Sequence, residues 1–361
     1  MLALCTASAV AQGPNGSGTY YRNADGQKGK ALKTALFNII KNPSVTTYAG
    51  LKDAYKKTDV REDGYLRDWY SNVTKFEPGS AFGNYKKEGD AYNREHTVPQ
   101  SWFGEASPMK SDIVHVVPVD GYINNMRSDY PFGKVNKSAS NTKSSINNYS
   151  YCGPSQTPGY TGTVFEPNDD VKGDIARIYF YMATCYEDRI TTWTKGTGAK
   201  VIADDRETPF LSWVMDLLME WSALDPVDEV ETARNNAVYS VQKNRNPFVD
   251  YPGLENYIWG EVRVYYARSA LGLLGRHHYL LMNINHGQWE YDHLPSLRQA
   301  ADAMVRRGCY KAYTLDGGQT ATTVFHYELI NPVQFGWEKE ISDIIYFASA
   351  RDARRIELPP E

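Results

Sequence analysis

Apolar residues recur at helical spacing in several stretches of the first 260 positions. The segment KALKTALFNIIKN, residues 30–42, places its apolar side chains at steps of four, three and one, which predicts an amphipathic helix. The same periodicity occurs in residues 173–190, 208–224 and 227–242. We expect these helices to form the scaffold of a first domain.

Two other regions have a different pattern. Residues 60–160 are rich in Tyr, Gly, Asn, Ser and Pro and contain few periodic runs, which predicts short strands and ordered loops around a site. From residue 261, strand, helix and strand patterns alternate, with a strand at HYLLMNI and a helix over residues 294–308. Because NRNPFVDYPGLENYIWG carries two prolines and ends at Gly260, we place a domain boundary there and predict domains at 18–260 and 261–361.

The first eleven residues, MLALCTASAVA, are small and apolar and end in a small-x-small pattern that signal peptidase accepts. They lack a positively charged start, so they are typical of the end of a truncated secretory signal. A frayed apolar N-terminus is the alternative. No run approaches the roughly 18 apolar residues of a membrane-spanning helix, and a secreted or periplasmic location is expected.

The charge balance excludes a strong global attraction to nucleic acid. The formal net charge is −4, so any phosphate binding requires a local basic cluster. Basic residues occur in residues 52–61 and 86–87 and at Arg94, Lys110 and Lys134. We expect Arg94 and Lys134 to contact phosphates, which favours binding of a nucleic-acid backbone without base readout. The four cysteines have no regular spacing, so neither a zinc knuckle nor a disulfide framework is predicted.

The stretch YNREHTVPQSWF, residues 92–103, places Glu95 beside His96. Hydrolysis of a phosphodiester needs a base that takes a proton from the attacking water, and an imidazole can do this near neutral pH. It also needs the negative charge of the phosphate to be neutralised, and a divalent cation on oxygen ligands can do that. In the following SDIVHVVPVDGYINNMRSDYPFG, Asn124 and Arg127 are three residues apart and share a face if this segment is helical. An amide oxygen and a guanidinium would then face one site. The alternatives are a polar pair on a loop for Glu95 and His96, and a structural salt bridge for Arg127.

These two stretches, together with residues 159–189 and 234–260, resemble the endonuclease I family of non-specific nucleases. The family belongs to the His-Me finger (ββα-metal) superfamily, and the resemblance extends from about residue 18 to 260. It implies an α+β fold with a ββα-metal core in a mostly helical scaffold, followed here by a partial α/β unit. The implied function is that of a secreted, metal-dependent endonuclease that cleaves DNA, or alternatively RNA, with little sequence preference.

The resemblance also implies roles for individual residues. His96 would be the general base and Arg127 a catalytic phosphate ligand. Glu95 and Asn124 would bind Mg²⁺, with Ca²⁺ or Mn²⁺ as alternative ions and Asn125 as the alternative residue. His115 and Asp112 would not bind the substrate or the metal directly but would lie next to the residues that do.

Two further polar clusters admit a structural and a functional interpretation. The acidic residues of FEPNDDVKGDIAR could suggest a calcium loop, but they lack its ligand alternation and central glycine. They are typical of a helix start, with Arg177 pairing one of them. Arg245, in NRNPF, is either a buried anchor, which we favour, or a phosphate contact.

Residues after 261 resemble the second half of a phosphodiester glycosidase domain. The similarity rests on ARSALG, HYLLMNI and the loop LDGGQTATTVF, and its sharpest feature is Asp316-Gly317-Gly318. The first half of such a domain does not precede it, so we expect no active glycosidase. Glycosidase activity at Asp316 and a non-catalytic binding protein are the alternatives to the nuclease, and no obligate protein partner is indicated.

Overall fold

The computed structural model describes residues 13–80, 82–260, 268–275, 278–284, 303–317, 324–325 and 328–329. The chain divides into two compact units, residues 1–259 and 260–361. No helix within these described ranges is both long and apolar enough to cross a membrane. The cysteines at positions 152, 185 and 309 are free thiols, in line with their irregular spacing.

The first unit is mainly helical. Its α-helices are α1 (Gly29–Ile40), α2 (Leu51–Thr58), α3 (Gly121–Arg127), α4 (Lys172–Cys185), α5 (Ser212–Leu224), α6 (Glu229–Gln242), α7 (Pro247–Asp250) and α8 (Leu254–Trp259). The four periodic stretches correspond to α1, α4, α5 and α6, so these predictions are confirmed.

Helix α4 is the centre of the first unit, because all fourteen of its residues are buried. A helix that is buried all round must pair every polar side chain that it carries. Arg177 does so by reaching Asp174 Oδ1 at 3.2 Å and Glu231 Oε2 of α6 at 2.7 Å. The predicted pairing of Arg177 with the acidic helix start is therefore confirmed.

Two other acidic side chains before α4 have a structural partner, since Glu166 and Asp169 pair with Lys172 at 2.9 and 2.7 Å. The Asn168 side chain accepts the Asp170 N–H at 2.7 Å, which caps the short 3₁₀ turn that leads into α4. In NRNPF, Arg245 is buried and pairs with Asp250 at 2.6 Å. The cluster is a helix start and Arg245 is an anchor, as the structural interpretations predicted.

The region 60–160 contains short strands and loops, as expected. Strands β1 (Tyr92–His96) and β2 (Val116–Asp120) pair antiparallel, with His96 opposite Val116. Asp120 ends β2 and is also the N-cap of α3, since its carboxylate accepts the N–H groups of Tyr122 and Ile123 at 2.9 and 3.0 Å. The chain therefore passes from strand to helix without a connecting loop. A second antiparallel sheet contains β3 (Lys143–Ser144), β4 (Tyr151–Pro154) and β5 (Thr163–Glu166).

The loop between β1 and β2 is held by the carboxylate of Asp112. Its Oδ2 accepts the hydroxyls of Tyr181 and Tyr186, both at 2.7 Å, and its Oδ1 accepts the Gln242 amide at 2.8 Å. Burial raises the pKa of Asp112, and these hydrogen bonds oppose the shift. The carboxylate thus joins the loop to α4 and to the end of α6.

Arg234 of α6 holds the same loop through its main chain. Its guanidinium donates to the carbonyls of Ile113 and Val114 at 2.7 and 3.3 Å, and it pairs with Asp59 at 2.8 Å. Since β2 begins at Val116, directly after these carbonyls, the contact fixes the start of β2 relative to α6.

The described part of the second unit contains β6 (Arg268–Gly275), β7 (His278–Ile284) and β8 (Lys311–Gly317), in the antiparallel order β7-β6-β8. The predicted strand HYLLMNI is confirmed as β7. The predicted helix is described only at residues 303–306. Asp316 and Gly317 were expected in a loop but belong to β8, because β8 continues its pairing with β6 as far as Gly317; Gly318 lies outside the described residues. Two short strands, β9 (Val324–Phe325) and β10 (Glu328–Leu329), form a separate pair.

Replacing Asp112 by Ala is expected to lower the free energy of unfolding by on the order of 3 kcal/mol, because two tyrosine hydroxyls and one amide lose a buried charged acceptor. Urea unfolding followed by tryptophan fluorescence measures this. Asp170→Ala is the matched control, since that carboxylate is exposed. Equal stability of the two variants would show that Asp112 does not hold the loop.

Candidate active site

The end of β1 and the adjoining helix α3 carry three of the residues that were predicted to perform the chemistry. Glu95 and His96 are the last residues of β1, and Asn124 lies in the middle of α3. The Asn124 Nδ2 donates to the carbonyl of Arg94 at 3.2 Å, which leaves Oδ1 as the acceptor end of the amide. Because Arg94 directly precedes Glu95, this hydrogen bond holds α3 next to the end of β1.

Glu95 is only 2% exposed, and both of its described side-chain partners bind one carboxylate oxygen. The Tyr70 hydroxyl donates to Oε1 at 2.8 Å, and Arg127 Nη1 lies 3.3 Å from the same atom. Burial raises the pKa of Glu95, while Arg127 and Tyr70 act in the opposite direction. The Oε2 oxygen has neither of these partners and is the atom best placed to bind a cation.

His96 is 5% exposed, and its Nε2 lies 3.1 Å from the carbonyl of Lys110. A neutral imidazole can donate a hydrogen bond to this carbonyl only if its proton is on Nε2, so the lone pair is on Nδ1. Burial, followed by the neighbouring His115, lowers the pKa of His96 to about 3. The ring is therefore neutral at pH 7, which is the form that can accept a proton.

Tyr48 joins His96 to two cationic side chains. Its ring stacks on the His96 imidazole with centroids 5.9 Å apart, and Lys110 Nζ lies 5.1 Å from its centroid. The guanidinium of Arg94 is sandwiched between Tyr48 and Phe82, at 3.7 and 3.9 Å from the ring centroids. Arg94 is therefore fixed beside the site, where a phosphate contact stays a prediction.

His115 lies behind His96 and is fully buried. Its Nε2 is 2.6 Å from the carbonyl of Met109, and its own carbonyl accepts both the N–H and the hydroxyl of Thr97 at 3.1 Å. Its ring centroid is 5.6 Å from that of His96, and burial lowers its pKa to about 4. This arrangement is consistent with the expected supporting role.

Arg127 is 1% exposed and binds the main chain at the end of β1. Its guanidinium donates to the carbonyls of His96 and Thr97 at 3.2 and 2.7 Å, and it lies 4.8 Å from the centroid of Phe132. With these contacts and the ion pair to Glu95, Arg127 is enclosed by protein and cannot reach a surface phosphate. Of the two interpretations, the structure contains the salt bridge, and the predicted phosphate contact is not supported.

The remaining predicted residues lie farther from this arrangement. Lys134 pairs with Glu220 of α5 at 2.7 Å, and none of its described contacts involves the site. Asp112 holds the loop described above and contacts His115 only through the main chain, at 3.2 Å. Asn125, the alternative ligand, is exposed. Tyr48 and Tyr70 were not found from the sequence, since neither lies in a motif with Glu95 or His96.

The available oxygen donors suit a hard divalent cation. No group of three or more His, Cys, Asp or Glu side chains in the described ranges could hold a metal ion. Mg²⁺ usually binds one or two protein oxygens and keeps several waters or substrate oxygens. One carboxylate and one amide oxygen fit that pattern.

Comparison with known proteins gives two family matches. The Endonuclease I family model matches residues 28–253, and the Phosphodiester glycosidase model matches residues 219–348. The second match begins within α5, before the end of the first compact unit.

Relatives along the first unit are named as nucleases. An extracellular ribonuclease of Bacillus amyloliquefaciens is 34% identical over 70% of this chain and 82% of its own length. An extracellular ribonuclease of Bacillus subtilis is 33% identical over 67% and 78%. A periplasmic deoxyribonuclease of Aeromonas hydrophila is 25% identical over 63% and 86%.

Replacing Tyr70 by Phe is expected to weaken Mg²⁺ binding about tenfold, because the Glu95 carboxylate loses the hydroxyl that orients it. Isothermal calorimetry of the protein with MgCl₂ measures the affinity. Tyr21→Phe is the matched control, since it removes a buried hydroxyl that donates to Asp250 at 2.7 Å. If both variants bind Mg²⁺ like the wild type, Tyr70 does not position a metal ligand.

Proposed function

The chain belongs to the endonuclease I family, and on that premise we propose that it is a secreted nuclease that hydrolyses nucleic-acid phosphodiesters with a divalent cation. The observation that supports the proposal is the unit β1-β2-α3, in which Glu95 and His96 end β1 and Asn124 of α3 donates to the carbonyl of Arg94 in the same strand. We interpret this unit as the ββα-metal finger. An antiparallel strand pair followed directly by a capped helix is consistent with that interpretation.

Glu95 and Asn124 would hold the cation through Oε2 and Oδ1. We propose Mg²⁺, with Ca²⁺ and Mn²⁺ as alternatives. When bound, such an ion neutralises charge on the scissile phosphate and on the leaving oxygen. Tyr70 and Arg127 orient the Glu95 carboxylate from its other oxygen.

His96 would accept the proton of the attacking water at Nδ1. The Lys110 carbonyl fixes the opposite ring nitrogen, and Tyr48 and His115 limit rotation of the ring. The neutral imidazole is the form that accepts a proton, although its lowered pKa makes it a weaker base than an ordinary histidine. His96 therefore carries the catalytic proton transfer.

The substrate would be bound mainly through its backbone. Arg94 and Lys110 both lie near the Tyr48 ring that stacks on His96, and Lys110 also pairs with the exposed Glu105 at 2.7 Å. Cations of this kind bind phosphate without reading bases. The relatives named above include both ribonucleases and a deoxyribonuclease, which supports a nucleic-acid substrate. Their extracellular and periplasmic names, together with the apolar N-terminal residues, support secretion.

We propose no activity for the second unit. The similarity to phosphodiester glycosidases covers residues 219–348, and the motif Asp316-Gly317-Gly318 lies partly outside the described residues.

His96→Ala is expected to slow cleavage of plasmid DNA and of a structureless RNA by about 100-fold or more, because the water loses its base. EDTA should abolish cleavage by the wild type, and added Mg²⁺ should restore it. His278→Ala, an exposed histidine of β7, is the matched control. Cleavage by His96→Ala at the wild-type rate, or full activity in EDTA, would contradict the proposal.

The choice between Asn124 and Asn125 can be tested with metal binding alone. Asn124→Ala is expected to lower the Mg²⁺ affinity about tenfold or more, whereas Asn125→Ala keeps the wild-type affinity, because only Asn124 is oriented by a bond to β1. Calorimetry of both variants decides it. The reverse ranking would move the ligand to Asn125.

A further inference from the structure

A cleft of about 640 Å³ lies along α3, and the proposed catalytic residues are not part of it. Tyr122, Asn125 and Met126 line it from one face of the helix, whereas Asn124 and Arg127 contact β1. At 3.6 residues per turn these are different faces of the same helix. The cleft therefore opens next to the catalytic site, on the other side of a single helix.

The opposite wall of the cleft is the three-stranded sheet. Lys143 and Ser144 of β3 and Cys152 of β4 contribute to it. Both Lys143 and Ser144 are exposed, and the thiol of Cys152 is buried at the wall. A ligand in the cleft would thus lie between α3 and this sheet.

The chemistry of the lining suits a strand of nucleic acid. None of its eleven residues is acidic, although the chain carries 43 Asp and Glu, and its one cation is Lys143. Asn, Ser and Thr side chains supply neutral donors and acceptors. A polyanion would therefore meet no opposing carboxylate in the cleft wall, and one ammonium group would attract it.

Two tyrosines provide the aromatic surface. Tyr122 lines the cleft and is 43% exposed, and Tyr130 lines it while half-buried. Unpaired bases stack on such rings whatever their identity. The volume is also within the range of about 300–1,000 Å³ typical of pockets that enclose a small organic ligand, which is the size class of a nucleotide.

We propose that this cleft is a subsite for single-stranded nucleic acid, in which an unpaired base stacks on Tyr122 and the adjoining phosphate meets Lys143. This inference rests on the proposed function and extends it. A strand held for cleavage at Glu95 and Asn124 has only the width of α3, about 10 Å, to cross before it enters the cleft. Bases of a duplex are already stacked and paired, so they cannot present their faces to Tyr122, and the subsite favours single strands.

The test measures binding without cleavage. A fluorescein-labelled single-stranded oligouridine is titrated with protein in EDTA and followed by fluorescence anisotropy. Tyr122→Ala is expected to raise the dissociation constant about tenfold, while Tyr122→Phe keeps it near the wild-type value because the ring remains. Tyr257→Ala is the matched control, since that tyrosine is 63% exposed on α8 and lies outside the cleft lining.

A labelled duplex of the same length completes the experiment. Tyr122→Ala should change its affinity less than twofold, and Lys143→Ala should weaken binding of the single strand and reduce its dependence on salt concentration. Wild-type affinity of Tyr122→Ala for the single strand, or an equal loss for single strand and duplex, would overturn the subsite. Thermal unfolding of each variant shows that the fold is retained.

The outcome can be separated from that of the proposed function. If the Tyr122 variants bind like the wild type while the wild type still cleaves nucleic acid, only the subsite fails. If the wild type does not cleave in the presence of Mg²⁺ but Tyr122→Ala still loses binding to the single strand, the nuclease proposal fails and the cleft remains a binding site.

Discussion

The candidate site depends on the contacts of one buried side chain, the guanidinium of Arg127. It donates to the carbonyls of His96 and Thr97 and pairs with the Glu95 carboxylate, so one side chain of α3 fixes both the path of the chain after β1 and the orientation of Glu95. Tyr179 of α4 donates to the same Thr97 carbonyl at 3.0 Å. Strand, helix and scaffold therefore meet at one point, and removing a charge that is buried this deeply leaves its partners uncompensated.

Burial also prepares the two reactive groups for their proposed roles. The same low-dielectric surroundings lower the pKa of His96 and raise that of Glu95. The imidazole is thereby kept neutral, while Arg127 and the Tyr70 hydroxyl stabilise the carboxylate at Oε1. The proposed cation would bind at the other oxygen, Oε2, which has neither of these partners.

Several structural elements were predictable because their signals are local. The periodic stretches that became α1, α4, α5 and α6, the region of short strands between residues 60 and 160, and the helix-start interpretation of the acidic cluster all depend on neighbours within a few turns. Glu95, His96 and Asn124 could be proposed from the sequence because they occur in one ordered motif. Tyr70 and Tyr48 were missed because they reach the site only when distant loops fold against it. Lys134 was grouped with the site through its charge, but its partner is Glu220 of α5.

The sequence by itself determined the helices of the scaffold, and it predicted which residues carry the chemistry and that α3 would present Asn124 and Arg127 on one face. Only the tertiary structure decided which groups each of these side chains contacts. Arg127 could have been a phosphate ligand or a structural ion pair, since a guanidinium suits both, and burial under Phe132 and the end of β1 selected the second. Side-chain chemistry is a local property of the sequence, whereas exposure to a substrate depends on what the rest of the chain packs against that side chain.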